Sequence, residues 1–590
     1  MKRIKRIFAL ALACWLLLSV PVCAHAAEQA AWLPSGQSRD ALGDAIESYV
    51  AEHEDTTAGM AVAVFDARQT IYQNWFGYAN KETELPVNAD TVMEWGSVTK
   101  LLVWVSVMQL WERGLLDLDA DIRDYLPEGF LAKLRYDTPV TMLNLMNHNA
   151  GFEEIYFGMM TGMEDRILPL EVYLQEIQPQ QIFEPGAVTA YSNWGVALAG
   201  YLVERISGME FHAYVREHIF EPLGMTHSAL NADLSDNPWV RQQWETLERY
   251  TDTGDRIDNC KHFIVMYPAG MCTSTLADFQ AFAMALLDRE SPLFADPGTY
   301  DEMMTPSSYF GDTGRGLNFH GIWAESYYSV PVIGHGGNTM GCSSQLLLDL
   351  ENGIGMTVMT NQSGETVYCN QMPELVFGKY DGEPLDFSGY AAVARTCYRG
   401  PLKLQQVIGG LYHITPEWSK GAFTSISQSG ELTKITTPGG GGDFLIKTVP
   451  QMVTMFLPPV LWAVFLVFSL GYFLVPPVMG LIGKLRGKFR TNPLKKWTMV
   501  SGIAQVIPLI PVVFAVMSLT GGNQWSLWLY RLTFAAFWGF AAAFCALAVY
   551  GLRRIRQEHI KNPTSIIMVI SLMVSVFSIL YWELGCFWRI

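Results

Sequence analysis

The sequence predicts a chain of two parts, an exported α+β domain followed by a transmembrane region of four helices. The chain has 590 residues, which is too long for one ordinary domain. Strand patterns at 59–66 and 70–79, and again at 343–349 and 353–361, stand on either side of segments with helical character. From about residue 452 the composition changes to long apolar stretches of membrane-spanning length.

The first 26 residues have the pattern of a secretory signal peptide. Four basic residues come before an apolar run over 7–22, and an A-x-A cleavage pattern ends at Ala26. Cys23 follows Val-Pro-Val, which is a poor lipidation signal. Cleavage after Ala26 is therefore favoured over a lipid anchor and over an uncleaved N-terminal anchor.

The charge of the chain is unevenly distributed. The formal net charge is −17, yet residues 445–590 contain 13 basic and 2 acidic residues. Residues 27–444 contain 23 basic and 55 acidic residues, so this part is strongly acidic. Nucleic-acid binding requires a basic surface, so nucleic acid is excluded as a partner.

Ser97 and Lys100 form an S-x-x-K tetrad at the start of an apolar run that predicts a helix. This spacing puts an amine and a hydroxyl on the same helix face, one turn apart. A serine hydroxyl becomes a useful nucleophile when a neighbouring base takes its proton. The alternative for the tetrad alone is a capping serine beside a solvated lysine.

Three short motifs occur in order: Ser97-Val98-Thr99-Lys100, Tyr191-Ser192-Asn193 and His335-Gly336-Gly337. Together they resemble the serine β-lactamase and penicillin-binding protein superfamily, in particular its class C β-lactamase and S12-type serine peptidase branch. The resemblance covers roughly residues 36–400. It implies a β-lactamase-like domain over 27–385, in which an antiparallel sheet flanked by helices is joined to an all-helical subdomain.

The resemblance also implies catalytic roles. Ser97 would attack a carbonyl carbon and become acylated, while Lys100 and Tyr191 would move its proton. Which of these two is the general base stays open at this point. Asn193 is expected to orient Lys100 and the substrate amide.

The third motif implies the substrate-binding strand. Gly336 and Gly337 allow a ligand to approach the backbone closely. The backbone N–H groups of Ser97 and Asn338 would form the oxyanion hole. His335 stands where relatives often have lysine, and a histidine is mostly neutral at external pH. This departure argues against strong activity on β-lactams or on a free C-terminal carboxylate.

Residues 386–450 are predicted as a small β-rich juxtamembrane segment. Alternating residues over 422–437 suggest a hairpin, and the glycine-rich stretch 438–442 is predicted to be a flexible break.

Residues 451–590 are predicted to contain four transmembrane helices, over 456–475, 497–519, 532–552 and 565–587. The connecting loops 484–496 and 553–561 are basic, which places both in the cytoplasm by the positive-inside rule. The catalytic domain and the C-terminus then lie outside a bacterial cell membrane. Few charged residues fall within the spans, so anchoring is favoured over transport. A membrane partner or a homo-oligomer stays open.

These observations predict a membrane-tethered, extracytoplasmic serine hydrolase. Its partner would be a small peptide or acyl substrate cleaved at an amide or ester bond, and the resemblance implies D-amino acids in that substrate. No metal or cofactor is expected. The alternatives are an esterase or weak β-lactamase, an inactive relative, and a non-hydrolytic penicillin or peptide sensor that signals through the membrane helices.

Overall fold

The fold is known from a computed structural model of the chain. It describes residues 32–152, 154, 159–311, 314–325, 328–380, 391–394, 423–426, 432–437, 439–440, 442–447, 457, 460–461, 463–468, 471, 494–508, 510, 527–560, 563–581 and 584. The predicted signal peptide lies outside the described residues.

The described strands are β1 Gly59–Asp66, β2 Thr70–Asn80, β3 Leu85–Pro86, β4 Val92–Glu94, β5 Met160–Thr161, β6 Ser228–Ala229, β7 Phe263–Ile264, β8 Thr273–Thr275, β9 Ser308–Tyr309, β10 Gly316–Phe319, β11 Ile322–Glu325, β12 Val332–Asn338, β13 Ser343–Asp349, β14 Ile354–Thr360, β15 Ala391–Ala394, β16 Phe423–Ile426, β17 Leu432–Thr437 and β18 Gly442–Lys447. The described α-helices are Leu42–Glu52, Lys100–Glu112, Met142–Met146, Leu170–Glu176, Asn193–Ser207, Phe211–Val215, Pro238–Thr246, Leu276–Leu287, Pro297–Met303, Glu374–Phe377, Lys495–Val506, Leu527–Gln557 and Pro563–Tyr581.

Nine strands form the main antiparallel sheet, in the order β3-β2-β1-β14-β13-β12-β11-β10-β9. Its strands β1, β2, β13 and β14 are those predicted from the period-two patterns. Strand β1 is buried along almost its whole length, since both faces of the sheet are covered. The predicted α+β class is confirmed.

The two faces of β1 belong to two different cores, because successive side chains of a strand point to opposite faces. Met60, Val62 and Val64 pack in the core that contains the helix Leu42–Glu52. The alternate residues of β1 pack in the larger core with the helix Lys100–Glu112. That helix is buried on all sides from Lys100 to Leu110, as its uniformly apolar sequence predicts.

A second antiparallel sheet lies in the segment predicted to be β-rich, with the strand order β15-β18-β17-β16. The predicted hairpin is present as β16 and β17. The predicted break at 438–442 is a hairpin turn at its described glycines, and its flexibility stays a prediction. Gly439 and Gly440 form a turn between β17 and β18, which pair with Thr437 opposite Gly442. Glycine serves here because both residues have positive φ, +63° and +76°.

Two helical segments, Leu532–Gln557 and Pro563–Leu580, are long and apolar enough to cross a membrane. They correspond to the third and fourth predicted spans. Of the predicted span 456–475 the structure describes ten residues, namely 457, 460–461, 463–468 and 471. Of the span 497–519, the structure describes the helix Lys495–Val506 and a few residues beyond it. The arrangement of four spans therefore stays a prediction.

Candidate active site

Ser97 lies in a short 3₁₀ turn, Gly96–Thr99, that runs directly into the helix Lys100–Glu112. Lys100 is fully buried, and its Nζ donates to Ser97 Oγ at 2.8 Å. The same Nζ donates to the carbonyl oxygen of Ala269 at 2.5 Å. The structure thus brings the amine and the hydroxyl of the S-x-x-K motif into contact.

The surroundings of Lys100 favour its neutral form. Burial lowers the pKa of Lys100 to about 7, although the negative charge of Glu154 acts in the opposite direction. A large fraction of this amine is therefore unprotonated at neutral pH. A neutral amine in contact with a serine hydroxyl is able to accept its proton.

Tyr191 completes the group around Ser97. The Nζ of Lys100 is 5.0 Å from the centroid of the Tyr191 ring. Burial raises the pKa of Tyr191 far above its usual value; a hydrogen bond with Ser97 lowers it in part, and Glu154 raises it further. Tyr191 is therefore a phenol and not a phenolate at neutral pH. These electrostatics favour Lys100 over Tyr191 as the base.

His148 supports Tyr191 from behind. Its ring stacks on Tyr191 at 4.4 Å and on Trp323 at 5.4 Å between ring centroids. Its Nδ1 accepts a hydrogen bond from the backbone N–H of Ser192 at 3.2 Å. His148 therefore fixes the orientation of Tyr191 through packing.

Asn193 is held by Glu154, a residue that the sequence motifs do not indicate. The carboxylate of Glu154 accepts from the backbone N–H of Asn193 at 2.9 Å and from its Nδ2 at 3.0 Å. The family resemblance predicts that Asn193 orients Lys100. In the structure Lys100 donates to Ser97 and to the carbonyl of Ala269. The one sequence signal for Glu154 is an acidic pair that follows the turn at Gly151.

The strand β12 lies directly against the Ser97 turn because glycines allow a close approach. A Cβ on Gly337 would lie 1.9 Å from the carbonyl oxygen of Trp95. A Cβ on Gly96, which has φ +52°, would lie 2.6 Å from the backbone nitrogen of Asn338. The backbone N–H of Asn338 is thus placed beside the Ser97 turn, where the motif predicts an oxyanion donor.

His335 is buried and neutral. Its Nδ1 lies 2.7 Å from the carbonyl oxygen of Gly336, which can only accept, so Nδ1 carries the proton. Burial, together with the charge of Lys100, lowers the pKa of His335 to about 3. Its Nε2 is then an acceptor, and no described residue donates to it. His335 offers a lone pair where a lysine would offer a positive charge.

These groups line a cavity of about 830 Å³. Ser97, Tyr191, Asn193 and the strand residues from His335 to Asn338 contribute to its wall. Three carboxyl groups also line it, those of Glu154, Glu325 and Glu365. None of the described lining residues is lysine or arginine. The charged groups among the described lining residues are therefore carboxyls.

Strand β12 carries the H-G-G motif and packs against the S-x-x-K turn, with a tyrosine beside it. This arrangement is typical of serine hydrolases of the β-lactamase and penicillin-binding protein kind. The chain belongs to this family. A sequence model of the family described as Beta-lactamase matches residues 44–377, which is more than half of the chain. The match includes all the motif residues.

Curated relatives agree with this assignment. Penicillin-binding protein 4 of Amycolatopsis lactamdurans is 27% identical over 353 residues, which cover 56% of this chain and 87% of that protein. The penicillin-binding protein PbpX of Bacillus subtilis (strain 168) is 27% identical over 240 residues, 41% of this chain and 57% of that protein. A β-lactamase of Yersinia enterocolitica is 31% identical over 173 residues, 29% of this chain and 42% of that protein. The chain thus spans about half the length of the last two relatives.

Among solved structures, the D-amino acid amidase of Ochrobactrum anthropi SV3 with bound D-phenylalanine is similar to this chain. The TM-score is 0.48 at 23% sequence identity. The alignment covers 57% of this chain and 97% of the amidase.

Proposed function

We propose that this chain is a membrane-tethered, extracytoplasmic hydrolase that forms an acyl-enzyme at Ser97 and cleaves amide or ester bonds of peptides, including peptides that contain D-amino acids. One observation carries the proposal: the buried Nζ of Lys100 lies 2.8 Å from Ser97 Oγ, at the wall of a large cavity. Burial brings the pKa of that amine to about 7, which matches a base that works at neutral pH.

The reaction begins when Lys100, in its neutral form, takes the hydroxyl proton of Ser97. The Oγ bonds to the substrate carbonyl carbon, and the carbonyl oxygen becomes an oxyanion stabilised by the backbone N–H groups of Ser97 and Asn338. The bond to the leaving amine or alcohol then breaks. Lys100 returns the proton to the leaving group through the phenol of Tyr191.

Water completes the cycle. It attacks the acyl carbonyl and gives a proton to Lys100, and the bond to Ser97 breaks. The serine oxygen takes the proton back, and the acid product leaves. In each half of the cycle one proton leaves the attacking oxygen and reaches the departing atom by way of Lys100 or Tyr191, so no external acid is consumed.

The neutral His335 bears on the substrate class. A substrate carboxylate beside it would find an acceptor lone pair and no positive charge. This supports peptides and amides over penicillins as substrates. The D-configuration is what the resemblance of the three motifs to penicillin-binding proteins implies.

The test is labelling of purified membranes with two reagents, a fluorescent penicillin and a fluorophosphonate that reacts with activated serines. Wild type and Ser97→Ala are followed over time. We expect fluorophosphonate labelling that requires Ser97, and weak or short-lived penicillin labelling. Fluorophosphonate labelling that persists in Ser97→Ala, or its absence from both proteins, contradicts the proposal.

The decay of the label separates the alternatives. A fast loss of bound penicillin indicates hydrolysis and a weak β-lactamase. A penicillin label that stays bound for hours indicates a sensor or a non-hydrolytic penicillin-binding protein. Release of amines from N-acetyl-D-alanyl amides, measured by chromatography, identifies the peptidase directly.

A further inference from the structure

One end of the cavity is formed by Glu325 together with the turn at Gly439 and Gly440. The turn is fixed to the catalytic domain by the backbone N–H of Gly439, which donates to the carbonyl of Ala324 at 2.9 Å. Gly439 lies so close to Glu325 that a Cβ there would be 2.6 Å from Oε2. The wall of the cavity therefore includes residues from the second sheet.

A second contact holds this wall in place. The carboxylate of Asp443, on β18, accepts from the backbone N–H of Thr189 at 3.0 Å. The backbone N–H of Asp443 in turn donates to the carbonyl of Thr189 at 3.0 Å. Thr189 is two residues before Tyr191, so the turn and the catalytic tyrosine share a support.

Glu325 has no evident structural partner. Its side chain is only 5% exposed, yet it makes no hydrogen bond or ion pair with any described residue. Burial raises the pKa of Glu325 to about 8, and no neighbouring charge contributes to that shift. A buried carboxyl without partners carries a large desolvation cost unless a ligand satisfies it.

The position of Glu325 relates it to the reaction. In the sheet Glu325 pairs with Val332. Val332 is three residues before His335, so the two residues are ~10 Å apart along the strand. The oxyanion donor Asn338 lies at the other end of β12, beyond His335. Tyr191, which returns the proton to the leaving group, is 6.3 Å from the His335 ring. Trp323, two residues before Glu325 and on the same face of β11, stacks on His148, which in turn stacks on Tyr191. The Glu325 end of the cavity is therefore on the Tyr191 side, where the leaving group departs.

We propose that Glu325 and the Gly439–Gly440 turn form a subsite that binds a positively charged amino group on the leaving part of the substrate. The substrate class is thus an acyl amide whose released amine carries a second, protonated amine a few bonds away. This inference rests on the proposed function and adds the chemistry that selects among its substrates. On binding, the ammonium keeps its protons and pairs with the Glu325 carboxylate, while the carboxyl proton goes to the solvent.

The rest of the lining agrees with a cation. The described lining residues include two further carboxyl groups, those of Glu154 and Glu365, and no lysine or arginine. The unpaired Nε2 of His335, which also lines the cavity, is an acceptor as well. A leaving group with a cationic amino group would meet carboxyl acceptors, whereas a carboxylate would meet no lysine or arginine among the described lining residues.

The experiment compares three N-acetyl-D-alanyl amides with the full chain in detergent. The released amines are 1,6-diaminohexane, heptylamine and 7-aminoheptanoate, which differ only in an ammonium, a methyl or a carboxylate at the far end. We expect kcat/KM for the ammonium substrate to exceed that for the methyl substrate by about tenfold to a hundredfold, mainly through KM, as for a charge-assisted hydrogen bond. The carboxylate substrate is expected to be the poorest.

Glu325→Gln keeps the shape and removes the charge. We expect it to reduce the ammonium-to-methyl ratio at least tenfold, while Glu128→Gln, at an exposed glutamate, keeps the wild-type ratio. Gly439→Ala, whose Cβ would displace the carboxyl of Glu325, is expected to reduce the ratio as well. Gly129→Ala is its matched control, because Gly129 has a similar φ of +76° and open space around it.

A binding measurement separates this inference from the proposed function. In Ser97→Ala no acylation at residue 97 is possible, and titration calorimetry gives Kd for the three uncleaved amides. Tighter binding of the ammonium compound that is lost in Ser97→Ala/Glu325→Gln supports the subsite even if no hydrolysis is found. Equal Kd values for the ammonium and methyl compounds, or a preference that survives Glu325→Gln, overturn it.

Discussion

Two buried glutamates on different sides of Ser97 have opposite surroundings. Glu94, three residues before the nucleophile, accepts from Arg249 Nη2 at 2.6 Å and from Trp244 Nε1 at 2.7 Å. Burial alone would raise the pKa of Glu94, but Arg249 and these hydrogen bonds hold it below its usual value. Glu325, at the far end of the cavity, has no such partner, and its pKa is raised to about 8.

This difference divides the buried ionisable groups into two sets: scaffold charges, which pair with each other and support the fold, and site charges, which lie at the cavity. Glu94 and Arg249 neutralise each other and fix the strand that leads to Ser97. Lys100, His335 and Glu325 line or adjoin the cavity, and burial shifts the pKa of each toward its neutral form. Groups in the second set are available to exchange protons or to bind a ligand.

The largest effect is expected for a change at Lys100, the cavity group that contacts Ser97. Lys100→Met should reduce the rate of Ser97 acylation by ~10²–10⁴, because the hydroxyl loses its base. The rate is measured with the fluorophosphonate probe under conditions where labelling is incomplete. The thermal midpoint should not fall, since a buried amine is replaced by an apolar chain of similar length. Labelling at the wild-type rate would remove Lys100 from the mechanism.

The scaffold pair is broken by Glu94→Gln. We expect a loss of about 3–5 kcal/mol in the stability of the catalytic domain, because Arg249 is left charged and buried. Tryptophan fluorescence during thermal unfolding measures it, since Trp244 contacts Glu94 directly. A matched change at an exposed position, Glu128→Gln, should leave the midpoint within error. An unchanged midpoint in Glu94→Gln would show that the ion pair is not needed for the fold.

The same chemical change at Glu325 should have the opposite sign. The folded-state pKa of about 8 lies above the ordinary value of 4.5, so ionisation is suppressed in the folded state and stability is lost as the pH rises between these values. Glu325→Gln should therefore stabilise the protein at pH 7 by ~3 kcal/mol or less. The gain should disappear below about pH 4.5, which thermal midpoints at several pH values will reveal. A destabilised variant at pH 7 would contradict the unpaired state of Glu325.

The smallest effect concerns the pH dependence of the site. The acylation rate should rise as the pH passes about 7, because the neutral form of Lys100 is the active one. Glu154 raises the pKa of Lys100, so Glu154→Gln should shift the midpoint of the profile to lower pH. Rates of fluorophosphonate labelling between pH 5.5 and 9 measure both profiles. A shift to higher pH would show that Glu154 acts by another route.

The parts of the molecule that follow local patterns were predictable from sequence. The strands β1, β2, β13 and β14 show clear strand patterns, and the helix that follows Ser97 is apolar on every side. The motifs predicted which residues meet around Ser97, because their spacing is shared with known families. The contact between Lys100 and Ser97 follows directly from helical geometry.

The parts that depend on distant pairing were not predictable. Glu154 meets Asn193 only through the fold, and nothing in either local sequence indicates the other. The stretch 438–442 has the composition of a linker, so its glycines predicted a break and not a wall of the cavity. Glu325 ends a short strand with no motif around it. In each case the signal lies in a long-range contact that composition and periodicity do not encode.

The turn at Gly439 and Gly440 has a practical consequence for shortened forms of the protein. A fragment that stops near Lys379, at the end of the family match, retains Ser97, Lys100 and His335 but lacks one wall of the substrate cavity. Such a fragment reports on the chemistry of the nucleophile and not on the selectivity of the intact chain.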